Sequence, residues 1–338
     1  MKSNESMNTP VQEENTPYVI ETNPQYNIPT QELLKLFPVT YQTPATTKME
    51  QNVQNRMLNG FNRWNMGYAA WEHWGEVLYY DDSIYNVHGV RLTLQEYQKA
   101  MNMSLKATDI QMGDFQNMIL CGDWMAIRYD TVNIDRRTGK ETPASVMEFA
   151  RFKDFGEKGA KVEEGWGGVK QATYPFMSSF QTKEEQAAQQ AFMQELADMK
   201  LPDTDNLEEK YPVYYPTPTP TALGKKMKAA VLLDFENYNR GYGVWSAWAD
   251  EFYTADAVYT YKGKELTVSQ LKEAMKPVIA SSRRVRINNI LVSENWTAVH
   301  YWDVTTLADG TEDVANHMQF LHFAEEGDGV KVDLCWAC

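Results

Sequence analysis

Cysteine and histidine are scarce in this 338-residue chain, with three of the first and five of the second. Three cysteines fit a reducing compartment, and Cys335-Trp-Ala-Cys338 reads as a pair of incidental thiols because Cys121 is the only other cysteine. Basic charge is in deficit. The 32 Lys and Arg residues against 46 Asp and Glu give a formal charge of -14, which argues against a nucleic-acid or anionic-membrane partner, since those surfaces require clustered cations. The opening MKSNESMNTP has no apolar signal core and no run approaches the length of a membrane span, so the expectation is a soluble cytoplasmic protein. No Gly-rich phosphate loop, metal-spaced histidine cluster or nucleophile elbow occurs, and neither a cofactor nor a metal is expected.

What the chain has is a repeat. FNRWNMGYAAWEHWGEVLYYDDSIYNVHGVRLTLQEYQKAM from Phe61 returns as FENYNRGYGVWSAWADEFYTADAVYTYKGKELTVSQLKEAM from Phe235, offset by 174 residues without a gap. The repeat extends upstream, where Pro38, Val39, Tyr41 and Pro44 recur as Pro212, Val213, Tyr215 and Pro218. Two copies of one folding unit are implied, and 43% hydrophobic content is enough for two cores. Residues 1–27, rich in Asn, Glu, Thr and Pro, read as a mobile tail. Residues 28–170 and 203–338 are the two repeats, and 171–202 a linker with a connecting helix capped by Thr182 and stopped by Pro202.

Each copy predicts the same order of elements. A proline-stiffened strap precedes an aromatic helix carrying Phe61, Trp64, Tyr68 and Trp71, or Phe235, Tyr238, Tyr242 and Trp245, at spacings of three and four. A short strand, a glycine turn and a second helix capped by Thr93 or Thr267 follow. Four strand-like stretches close the unit. The class is α+β, with a curved antiparallel sheet wrapped on one side by helices.

These residues resemble the SnoaL-like branch of the nuclear transport factor two superfamily. The resemblance is carried by Tyr-Asp-Asp-Ser-Ile-Tyr85 and Thr-Ala-Asp-Ala-Val-Tyr259 after the aromatic helix, by Met125-Ala-Ile-Arg-Tyr129 and Thr297-Ala-Val-His-Tyr301, and by the closing strands ending at Trp166 and Trp336. It implies two tandem cone-shaped α+β barrels, each enclosing an apolar pocket, in a family that includes polyketide cyclases, ketosteroid isomerases and dehydratases. The cyclases of that family place an acid-base Asp just beyond the closing Trp. Here Trp166 is followed by Gly-Gly-Val-Lys and Trp336 by Ala-Cys, so any chemistry must use another residue.

Strand alternation sorts the candidates. Met125, Ile127, Tyr129 and Thr131 are expected to face into the first cone with Met147, Phe149 and Arg151. Thr297, Val299, Tyr301 and Asp303 are expected to face into the second with Met318, Phe320 and His322. The opposite face carries Trp124, Arg128 and Glu148, or Trp296, His300 and Gln319, with Arg128 paired to Glu148 and His317 at the interface. These faces are expected to bury each other in an internal pseudo-dimer. The catalytic candidates are Asp303, His322 and Tyr242, because His and Asp exchange protons and Tyr donates to an oxyanion. Tyr68, Trp71, Tyr129, Arg151, Trp245 and Tyr301 are the ligand-pocket candidates. Each has a structural alternative: aromatics dominate cores in any case, and Asp303 and His322 also suit satisfied strand-end positions. The partner expected is an apolar small molecule. The readings that follow are a cofactor-independent acid-base enzyme of cyclase, isomerase or dehydratase type acting on an apolar carbonyl compound, or a non-catalytic carrier of a hydrophobic molecule.

Overall fold

A computed structural model describes residues 28–66, 79–154, 160–168, 175–261 and 263–338. The first repeat opens with helix α1 (Thr30–Leu36) and strand β1 (Val39–Gln42), then helix α2 (Lys48–Asn65). Strands β2 (Tyr79–Val87) and β3 (Val90–Thr93) lead into helix α3 (Leu94–Ala107), and β4 (Thr108–Cys121), β5 (Trp124–Asp135), β6 (Glu141–Lys153) and β7 (Lys161–Gly167) form the meander. The sheet order is β1-β4-β5-β6-β7-β2-β3. The linker carries α4 (Lys183–Asp198), and the second repeat opens with a single turn, α5 (Leu207–Lys210).

That repeat continues with α6 (Ala222–Asn239), α7 (Tyr242–Phe252), β8 (Tyr253–Tyr261), β9 (Lys264–Leu266), α8 (Val268–Ser281), β10 (Ser282–Ser293), β11 (Trp296–Thr306), β12 (Glu312–Glu326) and β13 (Gly329–Ala337). Its sheet order, β10-β11-β12-β13-β8-β9, reproduces the first without the edge strand. In both, the strand after the aromatic helix pairs in parallel with the closing strand, and helices cover one face. The cores confirm the layering. Leu58, Phe61, Phe115 and Tyr129 cluster in the first repeat and Phe235, Tyr238, Trp245 and Tyr301 in the second.

Local chemistry explains the element ends. Thr47, Thr93, Thr182 and Thr267 each accept from the backbone N–H three residues on, while the Glu or Gln there returns the bond. The extended straps lie beside the sheets: β1 is an edge strand parallel to β4, and Val213 makes a single parallel bridge to Ile287. The second aromatic helix, expected as one rod, is broken. Gly241 adopts φ 98° at the start of α7, a left-handed conformation that glycine takes at low cost, and the chain changes direction there. The matching segment of the first repeat, with Tyr68 and Trp71, lies outside the described residues.

The repeats meet through the faces of their sheets that the helices leave bare. Ile119, Trp124, Ala126, Met147, Phe149 and Trp166 form one cluster with Leu291, Trp296, Ala298, Met318 and Phe320. The contact is reciprocal. Tyr41 of the first strap packs on Trp296 at 4.9 Å and Trp336 at 5.7 Å; Tyr215 of the second packs on Trp124 at 5.3 Å and Trp166 at 5.8 Å. Each tryptophan pair is itself stacked, at 5.6 and 5.8 Å. Arg128 sits 4.3 Å above Trp336, and its counterpart His300 lies 5.5 Å from Trp166. Like a two-fold interface, the patch is self-complementary.

The register corrects the expected faces. Directly opposed residues share a face of a sheet, and Tyr129 opposes Val146 while Tyr301 opposes His317. Met147 and Phe149, with Met318 and Phe320, therefore face the other repeat instead of the cone interiors. Glu148, His317 and Gln319 face inward. Arg128 and Glu148 lie on opposite faces and do not pair; Arg128 Nε donates instead to Asn117 Oδ1 at 2.9 Å. Fully burying an aromatic of this kind contributes about 1.5–3 kcal/mol. Phe320→Ala, at a completely buried position, is expected to lower the unfolding free energy by about 3–5 kcal/mol. Urea denaturation followed by tryptophan fluorescence reads that loss.

Candidate functional site

The interior of the second cone is polar at its centre. Asp234 lies on α6, three residues after Val231 and four before Tyr238, on the helix face that points into the cone. Its Oδ2 accepts from Arg284 Nη1 at 2.6 Å and its Oδ1 from the indole Nε1 of Trp245 at 3.1 Å. The Arg284 guanidinium is stacked among Tyr238, Phe235 and Tyr301, at 4.1, 4.7 and 5.0 Å from the ring centres. Burial opposes its charge, yet the Asp234 and Asp303 carboxyls beside it favour the ionised form. In the first repeat the equivalent of Asp234 is Gly60, so this ion pair belongs to the second cone alone.

Asp303 opposes Arg284 across the β10–β11 ladder. Its Oδ1 is buried and has no hydrogen-bond partner, and its Oδ2 lies 3.8 Å from His317 Nε2. Burial raises its pKa, against the lowering influence of His317 and Arg284. The His317 side chain is 30% exposed where that of Asp303 is 10%, so the imidazole links a buried carboxyl to solvent. Tyr301 stacks on His317 at 5.5 Å. Burial also lifts the Tyr301 phenol and pushes Tyr238 up to about 12. Both hydroxyls keep their protons at neutral pH; that of Tyr238 is spent on Ser282 Oγ, which itself donates to the Val278 carbonyl.

Other candidates fall elsewhere. His322 is on the opposite sheet face from Asp303, stacked on Trp296 at 4.8 Å; its Nδ1 donates to Asp333 Oδ1 and its Nε2 accepts from Asn295 Nδ2, both at 2.5 Å. Arg151 occupies the same place in the first repeat, bonded to Asp123 at 3.4 Å and Glu163 at 3.3 Å. The two triads sit at the same β-turn end of their sheets, with Asn295 in the place of Asp123 and Asp333 in that of Glu163. Neither residue lines a cone. Tyr242 starts α7 at the edge of the second core, with Lys276 Nζ 5.8 Å from its ring. Trp245 and Tyr301 are buried in that core. Tyr129 is buried in the first, where its hydroxyl donates to Glu148 Oε1 at 2.6 Å.

Alternation along single strands misplaces Glu148 and His317 and says nothing of Asp234 or Arg284. Glu148 faces the first cone and not the interface; burial raises its carboxyl pKa, Tyr129 and Tyr85 satisfy it, and its counterpart Gln319 donates to Tyr259 at 3.4 Å. His317, expected at the repeat interface, shares the inward face of Tyr301 by the same register. Asp234 was detectable, because an Asp on an otherwise apolar helical stripe signals a buried partner. All three cysteines are free thiols, and burial pushes Cys335 up. Among the described residues no group of His, Cys, Asp and Glu is placed to hold a metal, and no helix is long and apolar enough to cross a membrane.

No family model and no curated protein matches the chain. Solved structures do. A SnoaL-like polyketide cyclase from Agrobacterium tumefaciens is 13% identical with a TM-score of 0.29, over 34% of this chain and 89% of that one. A ketosteroid isomerase-like protein from Erwinia carotovora atroseptica is 17% identical with a TM-score of 0.27, over 35% and 91%. An NTF2-like protein of unknown function from Exiguobacterium is 16% identical with a TM-score of 0.28, over 33% and 92%. Each match has the length of one repeat. Each half of the chain is an α+β unit, a mixed sheet with helices on one face.

The pH dependence separates two buried groups. The folded-state pKa of Asp303 is raised, so its contribution to stability is most favourable below the unfolded carboxylate value of about 3.9 and declines as pH rises toward the folded value. Asp303→Asn is expected to gain stability relative to wild type between pH 4 and pH 7. His300 is completely buried and lowered to about 3 by burial, with Arg286 and His317 adding to the effect. Its neutral form stabilises fully above about pH 6.5, and that stability is lost at up to about 1.4 kcal/mol per unit as pH falls toward 3. His300→Gln is expected to flatten this acid limb; urea midpoints across pH 3–8 measure both effects.

Proposed function

We propose that the second cone is a cofactor-independent acid-base site for a small apolar molecule bearing a carbonyl group. Asp303 exchanges the proton, His317 carries it to and from solvent, and Tyr301 donates to the oxygen that becomes negative. With the carboxylate ionised, a proton leaves the carbon beside the carbonyl and the electron pair moves onto oxygen as an enolate. Returning the proton to another carbon isomerises a double bond; expelling a β-hydroxyl as water completes a dehydration. The observation that carries this reading is the unpartnered Asp303 Oδ1 beside a partly exposed imidazole, inside a cone otherwise lined by aromatics.

A second reading has its own support. Phe235, Tyr238, Tyr301 and the Asp234–Arg284 pair already occupy much of that cone, which suits a carrier that holds a hydrophobic molecule without turnover.

Steroid and polyketide-like β,γ-unsaturated ketones separate the two, with the conjugated product read by absorbance. Asp303→Asn is expected to lower turnover by about 10²–10⁴-fold, the range for a lost general base, and His317→Gln to shift the pH profile. Variants that turn over like wild type would overturn the assignment. Binding without turnover in wild type would establish the carrier.

A further inference from the structure

A cavity of about 350 Å³ lies between the repeats, outside both cones. That volume falls in the range of about 300–1,000 Å³ typical of small-molecule pockets. Its floor is the β10–β12 sheet face, with Arg286, Asn288, Trp302 and Asn316; β2, β3 and β7 of the first repeat form a wall, and α4 is the roof. The roof is anchored to both repeats. Phe192 packs edge-on to Trp302 at 5.5 Å, Leu196 and Ala197 join Val285, Val304 and Val314, and Gln189 bonds to Gly89 and Arg91 of the first repeat.

Because the linker helix occurs once, the cavity is built on one side of the pseudo-dimer only. The residues agree. Bulges at matching places in β4 and β10 align the two strands, and the positions of Arg286, Asn288 and Trp302 are held in the first repeat by Asp114, Gln116 and Asp130. Neither the cation nor the indole is repeated.

The lining leaves an unbalanced set of polar groups. Arg286 Nε donates to Asn288 Oδ1 at 3.2 Å, and the guanidinium lies 3.8 Å from the Tyr214 ring centre and 5.4 Å from that of Phe192. No carboxylate among the described residues pairs with it. The buried indole Nε1 of Trp302 has no acceptor. Asn288 and Asn316 flank the imidazole of His300 at 3.3 and 3.4 Å. A neutral imidazole has one N–H and one lone pair, so one amide presents oxygen and the other nitrogen; in either orientation Asn316 keeps one amide atom unmatched. The acidic lining is already engaged: Glu164 accepts from Tyr215 at 3.0 Å and Asn86 at 3.4 Å, and Glu185 closes the α4 capping box.

We propose that this inter-repeat cavity binds an aromatic carboxylic acid as its anion, with the carboxylate on Arg286 and the ring between Trp302, Phe192 and Tyr214. A carboxylate is an acceptor-only head group that suits a guanidinium with free N–H groups and an unpaired indole donor. The aromatic walls supply the apolar contact and stack the cation. The site is independent of the second cone.

Calorimetric titration of the full chain with benzoate, 2-naphthoate and indole-3-acetate, with naphthalene-2-carboxamide as the neutral isostere, tests it. At least one carboxylate is expected to bind with 1:1 stoichiometry and quench tryptophan fluorescence, and the carboxamide to bind at least about tenfold more weakly than 2-naphthoate, the cost of one charge-assisted hydrogen bond. Arg286→Gln is expected to weaken the anion about tenfold or more, Ala188→Trp, which fills the cavity from the roof, to abolish binding, and Asp303→Asn to leave it unchanged. Should none of the three acids bind at millimolar concentration, or the carboxamide or Arg286→Gln match the wild-type affinity, the proposal is overturned. It is equally overturned if Asp303→Asn removes binding while Ala188→Trp does not. Should Arg286→Gln fail to fold, the Ala188→Trp and carboxamide results decide alone.

Discussion

The structure depends on a reciprocal clamp in which the strap of each repeat lays a tyrosine on the stacked tryptophans of the other. Tyr41 meets Trp296 and Trp336, and Tyr215 meets Trp124 and Trp166. A curved sheet with helices on one side leaves its second face bare, and here that face carries indoles, Phe149, Phe320, Met147 and Met318. Exposed apolar area of that extent would associate with something. Duplication supplies the partner in the same chain, at an effective concentration no free partner matches.

Once the repeats are locked, they are free to diverge. The buried faces keep Trp124 and Trp296, Trp166 and Trp336, and Phe149 and Phe320 at equivalent places, whereas polar positions have drifted. Arg128 becomes His300, Arg151 becomes His322, Glu148 becomes Gln319 and Gly60 becomes Asp234. The first two changes preserve contacts, a cation or imidazole on an indole and a polar fixture at a turn. The last two alter the cone interiors, giving the first a carboxyl between tyrosines and the second a caged ion pair with Asp303 beside it. The linker, present once, adds an asymmetry that duplication alone cannot produce.

Much of this was legible in the sequence, because it is periodic. The 174-residue offset, the aromatic stripe, the threonine caps and the glycine turns are local signals, and they specify two α+β units that pair through their sheets. The site was legible only in part. Alternation along one strand tells which residues share a face, but joining β5 to β6 or β11 to β12 needs the register, which is set by the hairpin and not by either strand. A shift of one residue exchanged His317 for His322 and hid Glu148. Asp303 survived because the face of β11 was read from its own alternation with Tyr301. Arg284 gave no signal, since its burial is decided by Asp234 fifty residues away. The inter-repeat cavity had none either, because three separate segments build it.

The central claim is that neither sheet can stand with its indole-bearing face uncovered. Expression of residues 203–338 alone, followed by sedimentation velocity, tests it most directly. The account predicts a fragment that self-associates or aggregates, having exposed Trp296, Trp336, Met318 and Phe320; a well-behaved monomer as stable as the full chain would contradict it.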